Sequence, residues 1–253
     1  SSSSRDDSGD NGNGRDDQEA PTIAPEAAER MMEDGGKGGS VVAKVARFFD
    51  LPLWMRTLCL MNGLVWVGWF CFLFFAADFI GIFVEGGDPH ASEHSPAFER
   101  YQRAQHIFSL TQACSSALMI AAGPCIPWLV VRVGVRRMLA LASALLALVL
   151  CVAANALRVG QTTACSILFS FLGLPWAVTM SLPYVVVSQL GRESERGRLM
   201  GVLNIFVVLP SFLVLAMVGL TSMQSNHILQ VGFVTAAAAS SLWLIKPVHP
   251  QIT

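Results

Sequence analysis

Apolar residues in this chain come as long blocks cut by short charged connectors, instead of alternating with polar ones. Six such blocks follow a polar leader that ends near Ser40. Residues 57–77 carry no charge and, past Asp78, the run stays apolar to Val84; the next blocks are 107–131, 138–157, 159–191, 199–220 and 228–245. A bilayer core takes about 20 residues of helix to cross. The pattern therefore predicts an all-α membrane protein with six spanning helices at about 53–84, 101–131, 137–157, 160–190, 199–220 and 228–246.

The stretch 173–210 is the most distinctive. It reads GLPWAVTMSLPYVVVSQL, then the charged connector GRESERGR, then LMGVLNIFVVLP. Proline inside a helix removes a backbone hydrogen bond, and in a bilayer the freed carbonyl needs a neighbouring helix, a hydroxyl or a wet cavity. Pro175, Pro183 and Pro210 thus predict helix breaks beside a cavity.

Composition divides the chain in two. Residues 1–40 hold four Lys/Arg and ten Asp/Glu, net −6, against +5 for the remainder. With so few apolar residues the segment 1–40 cannot offset its ordering entropy, and it is expected to be a disordered acidic loop ahead of a six-helix bundle at 41–253. The chain opens on Ser1 in polar sequence with no signal-peptide pattern, and is read as a fragment.

Charge placement gives an orientation. Lys44, Arg47, Arg56, Arg132, Arg136, Arg137, Arg192, Arg196, Arg198 and Lys246 fall on one side of the six segments, and only Arg100, Arg103 and Arg158 on the other. Cytoplasmic loops carry the excess of Lys and Arg, so both termini are expected in the cytoplasm. The six cysteines show no CxxC spacing and lie in apolar runs, which suits packing over metal or disulfide roles. No cofactor or metal site is expected, nor a nucleic-acid partner. The absence of HExxH and GxSxG motifs argues against an enzyme.

Polar residues inside the blocks mark candidate sites. Gln105, Ser109, Gln112 and Ser116 recur at spacings of 4, 3 and 4, which puts them on one face of the second helix. They either line a cavity or bond a neighbouring helix, at about 0.6 kcal/mol each. Asn62, Trp66 and Trp69 share a face of the first helix that suits a sugar ring, although tryptophan also packs and anchors. Asp78 is the one carboxylate within an apolar run, and His106 is expected at similar depth in the second helix. An ionisable group in a membrane is costly and normally meets a partner or water. An aspartate that must be neutral to cross a dry state, beside a residue type that ordinarily titrates near neutrality, would suit proton coupling. Alternatively the first helix ends at Ala77 and Asp78 lies at the surface.

Three segments carry a resemblance. LPLWMRTLCLMNGLVWVGWFCFLFFAADFIG, GLPWAVTMSLPY and MGVLNIFVVLP resemble the seventh, tenth and eleventh helices of plant sucrose transporters, in the glycoside, pentoside and hexuronide cation symporters of the major facilitator superfamily. The resemblance implies the carboxy-terminal half of a twelve-helix transporter whose missing partner is the amino-terminal six-helix half. It also implies proton-coupled uptake of sucrose or another glucoside, with protons, sugar and membrane lipid as partners, in the plasma or vacuolar membrane. Trp66, Trp69 and Phe70 match the family's aromatic cluster, and Asp78 the second acid of its D-x-D motif. Ala76 replaces the first acid, Cys71 a proline, and His106 an arginine. Arg132, Gly134, Arg136 and Arg137 are similar to the superfamily's R-x-G-x-R-R loop, with Val131 where an acid is usual.

The leading expectation is an alternating-access sugar symporter. It binds sugar through Asn62, Trp66, Trp69, Gln105, Ser109, Gln112, Tyr184 and Asn204 and couples protons through Asp78 and His106. The alternative is a non-transporting receptor or scaffold of the same fold.

Overall fold

The computed structural model describes residues 51–245. The acidic leader 1–40, Lys44, Arg47 and Lys246 lie outside them. Helix α1, Leu53–Asp78, runs straight into a π-helical turn, Phe79–Val84. After a loop come α2, Pro96–Ala122, a 3₁₀ turn Gly123–Cys125, and α3, Ile126–Val133. Then follow α4, Val135–Ala156; α5, Thr162–Ser170; α6, Gly173–Leu190; a second 3₁₀ turn, Glu193–Glu195; α7, Arg196–Thr221; and α8, Ser225–Ile245. Among the described residues there is no strand.

These elements make six segments long and apolar enough to cross a membrane: Leu53–Val84, Pro96–Val133, Val135–Ala156, Thr162–Leu190, Glu193–Thr221 and Ser225–Ile245. The second starts five residues earlier than expected, because Ser95 Oγ accepts from the Phe98 N–H at 3.2 Å and Pro96 sits in the first turn. Serine caps the orphan amides and proline costs no bond at that position. The second span also breaks at Gly123–Cys125, where Pro124 lies. The 33-residue fourth block folds as two helices, α5 and α6, joined through Phe171 and Leu172.

The core forms where α8 packs on α4 and α1. Small residues allow it: a Cβ on Gly232 would lie 2.8 Å from Cys71 Cβ, and one on Gly68 3.1 Å from the Gly232 carbonyl oxygen. Such close approach drives helix association where lipid is as apolar as the side chains. Phe72 and Phe169 meet edge to face at 5.0 Å, and Trp69 meets Phe72 at 6.2 Å, so one aromatic seam runs between α1 and α5. By contrast α2 buries only Ala104 and Thr111, and α7 only Leu199, Leu203, Pro210 and Val214.

Hydrogen bonds tie both ends. At one, the Gly160 N–H donates to the Val84 carbonyl at 2.7 Å and Thr162 Oγ1 to Glu85 Oε1. At the other, Arg136 donates from Nε to the Trp243 carbonyl at 2.6 Å and from Nη2 to the Leu244 carbonyl, capping the last turn of α8. A guanidinium suits that place, since the last carbonyls of a helix lack intrahelical donors and carry partial negative charge.

Candidate functional site

Gly173 brings α6 against α2. A Cβ there would lie 2.0 Å from the Ser115 carbonyl oxygen, so only glycine permits the contact. Trp176, three residues on, then faces α1. Its ring meets Trp69 at 4.7 Å with planes at 87°, and Trp66 at 5.7 Å and 74°. Aromatic rings prefer such edge-to-face contacts.

A cavity of about 190 Å³ opens beside this pair. Trp69 and Phe72 of α1 and Trp176 of α6 supply apolar walls, while Gln112, Ser115 and Ser116 of α2 supply the polar one. Gln112 Oε1 is buried there without a hydrogen-bond partner among the described residues. A buried acceptor left unpaired is costly. The volume falls below the roughly 300 Å³ at which drug-sized sites begin, and suits one ring-sized group.

Trp69 is held in place from α6. Its Nε1–H donates to Thr179 Oγ1 at 3.4 Å, and Thr179 Oγ1 in turn donates to the Pro175 carbonyl at 2.8 Å. The helix breaks expected at Pro183 and Pro210 are not seen: α6 runs on through Pro183, four residues beyond Thr179, and α7 through Pro210, each proline being accommodated inside its helix. Pro175 differs: it sits in the first turn of α6, where a missing N–H interrupts no bond within that helix. The helix is interrupted just before it, between α5 and α6.

The second cluster surrounds Asp78. The first span continues through Phe79–Val84, so Asp78 lies within it, half-buried, and not past its end. Tyr101 Oη donates to Asp78 Oδ1 at 2.8 Å. Gly81 makes room for that ring, since a Cβ there would lie 2.6 Å from Tyr101 Cδ2, and Gly87 makes room for the Tyr101 backbone, with a Cβ 2.5 Å from its nitrogen. Gly81 belongs to the π-helical turn, a feature that concentrates at functional sites. His106, expected as the partner of Asp78, is exposed and makes no hydrogen bond or ion pair among the described residues.

The remaining expected site residues separate. Gln105 Nε2 donates to the Ala77 carbonyl at 3.5 Å and Ser109 Oγ to the Gln105 carbonyl at 3.0 Å, so this half of the stripe serves backbone while Gln112 and Ser116 reach the cavity. Trp66 is buried behind Trp176, and Asn62 is buried on α1. Tyr184 Oη donates to Asn204 Oδ1 at 2.5 Å, joining α6 to α7. Trp176, Thr179 and Tyr101 were not singled out from sequence. A signal for Trp176 existed, since it follows the distinctive GLP.

The arrangement is that of a multi-pass membrane protein with a ring-sized, aromatic-walled cavity between helices, in the six-helix pattern of one half of a major facilitator transporter. No family model matches the chain. It is 30% identical over 215 residues to sucrose transport protein SUT3 of Oryza sativa subsp. indica, covering 74% of this chain and 41% of the relative. It is 26% identical over 209 residues to sucrose transport protein SUT1 of Oryza sativa subsp. japonica, at 75% and 38% coverage. Sucrose transport protein SUC3 of Arabidopsis thaliana is 28% identical over 200 residues, at 71% and 33%. The chain is similar to these plant proteins over 71% to 75% of its own length, and spans about two fifths or less of theirs.

Proposed function

We propose that this chain forms the carboxy-terminal half of a proton-coupled sugar symporter that works by alternating access, with sucrose or another glucoside as substrate. The observation that supports this best is the cavity of Trp69, Trp176, Gln112 and Ser116 in a homologue of sucrose transport proteins. The aromatic wall of Trp69, Phe72 and Trp176 meets the apolar face of a sugar ring, and the Gln112, Ser115 and Ser116 side of the cavity meets its hydroxyls. The cavity takes one ring, and a second six-helix half packs over the thinly covered α2 and α7 to enclose the other.

Asp78 carries the proton, and Tyr101 holds its carboxylate between the two arrangements of the bundle. Both termini of the described bundle face the cytoplasm, since ten cationic residues gather on that side. The protein resides in the plasma or vacuolar membrane.

The test is uptake of labelled sucrose into proteoliposomes holding the protein, with and without an inward proton gradient. Wild type accumulates sugar against its gradient, Trp176→Ala loses about tenfold or more in sugar affinity, and Asp78→Asn loses accumulation while keeping some exchange. Unaltered accumulation by Asp78→Asn sinks the coupling assignment, and failure to move any glucoside sinks the substrate class.

A further inference from the structure

Span two passes through a 3₁₀ turn at Gly123–Cys125 and continues as α3, in which only Ile126 is buried. Between α3, α4 and the start of α6 this opens a groove of about 480 Å³. Ile126, Leu129 and Val133 form one wall, Met138 and Leu145 the opposite one, and Pro175 part of the floor; no side-chain oxygen or nitrogen lines it. The groove runs along the chain from Ala122 to Val133, a helical rise of about 16 Å. That is close to one leaflet, half of a hydrocarbon core about 30 Å thick.

The rim at the end where α3 turns into α4 is cationic. Arg132 and Arg137 are both exposed, on either side of the Gly134 turn, and neither has an acidic partner among the described residues. Arg132 lies over the Trp128 ring, 4.4 Å from its centroid, and Trp128 is itself 55% exposed. Arg136, between them in sequence, is committed to the α8 carbonyls. A dry slot one leaflet deep, with two exposed guanidiniums that lack acidic partners next in sequence to its lining residues Val133 and Met138, matches a molecule with an acyl chain and an anionic head.

We infer that the α3–α4 groove is a binding site for an anionic phospholipid, whose acyl chain fills the slot and whose phosphate meets Arg132 and Arg137. The guanidinium pair supplies selectivity and the apolar walls supply contact area. The site is separate from the Trp69–Trp176 cavity, with which it shares no lining residue.

The experiment uses the purified protein in phosphatidylcholine nanodiscs doped with lipid brominated on its chains, either phosphatidylglycerol or phosphatidylcholine. Quenching of Trp128 is taken as the difference between wild type and Trp128→Phe. Each arginine near an anionic surface contributes roughly a fivefold preference, so brominated phosphatidylglycerol is expected to quench at a mole fraction at least about fivefold lower than its zwitterionic counterpart. Arg137→Gln, which leaves the Trp128–Arg132 contact in place, halves or more than halves that preference, and Arg132→Gln/Arg137→Gln abolishes it. Ala142→Phe, which narrows the groove, weakens quenching by both lipids. Equal quenching by the two lipids in wild type overturns the inference, as does a double variant that keeps the preference. No quenching of Trp128 by either lipid overturns it too.

Discussion

The indole of Trp69 on α1 hydrogen-bonds to the hydroxyl of Thr179 on α6, 110 residues away in sequence, with 3.4 Å between Nε1 and Oγ1. Because that hydroxyl spends its own proton on the Pro175 carbonyl, it can only accept from Trp69. The orientation of the cavity's main aromatic wall is thereby set by a helix that Pro183 weakens one turn later. A movement of α6 would carry the pose of Trp69 with it.

Thr179→Val keeps the shape of the side chain and removes the acceptor. One neutral hydrogen bond is worth about 1 kcal/mol, so the apparent KM for sugar should rise roughly fivefold with little change in maximal rate. Thr179→Ser should restore the wild-type value. Equal KM values for the valine and serine variants would show that the bond has no part in holding the site.

Gly173 is the contact on which the polar wall depends. Gly173→Ala places a carbon where the Ser115 carbonyl oxygen stands, and neither backbone can yield cheaply. A loss of about 1–3 kcal/mol in stability is expected, read as a lower thermal unfolding midpoint in detergent. Gly201→Ala provides the control: a Cβ there meets nothing within 4 Å, and alanine outranks glycine in a helix by up to about 1 kcal/mol. That variant should be as stable as wild type or more so.

Sequence reading found the six spans because a bilayer demands an apolar run of fixed length, a constraint each segment states by itself. Which polar residues would meet was less legible. Gln105, Ser109, Gln112 and Ser116 share one face, yet that face spans different neighbours along its length: backbone near Gln105, cavity near Gln112. Periodicity gives a face but not what stands opposite it. The pairing of Asp78 with Tyr101 was hidden for a similar reason. It depends on Gly81 admitting the ring, on Gly87 admitting the Tyr101 backbone, and on a π-helical turn that no spacing in the sequence announces.

Arg136 and Arg137 are adjacent in sequence and differ in role. Arg136 makes two charge-assisted bonds to the α8 carbonyls, whereas Arg137 is exposed and makes none among the described residues. Arg136→Gln should lower stability by about 1.5–3 kcal/mol, discounted toward the lower end because the guanidinium is partly solvated. Arg137→Gln should leave the unfolding midpoint within error. Comparable losses from both substitutions would mean that the capping bonds contribute nothing beyond local charge.

Tyr101 touches no part of the sugar cavity's lining and bonds directly to Asp78, so its effect on transport should pass through that carboxylate alone. Tyr101→Phe keeps the ring against Gly81 and deletes only the donor. It is expected to reduce proton-driven accumulation several-fold while leaving sugar exchange near wild type. Asp78→Asn should abolish accumulation, and adding Tyr101→Phe to it should do no further harm, because residues that act as a unit are non-additive. Gly81→Val provides the steric counterpart: its side chain would collide with the Tyr101 ring and displace the hydroxyl, so it should lose at least as much accumulation as Tyr101→Phe. Exchange and accumulation measured in the same proteoliposomes decide the matter. If Tyr101→Phe impairs exchange as much as accumulation, or if its loss adds to that of Asp78→Asn, the tyrosine acts on something other than the aspartate.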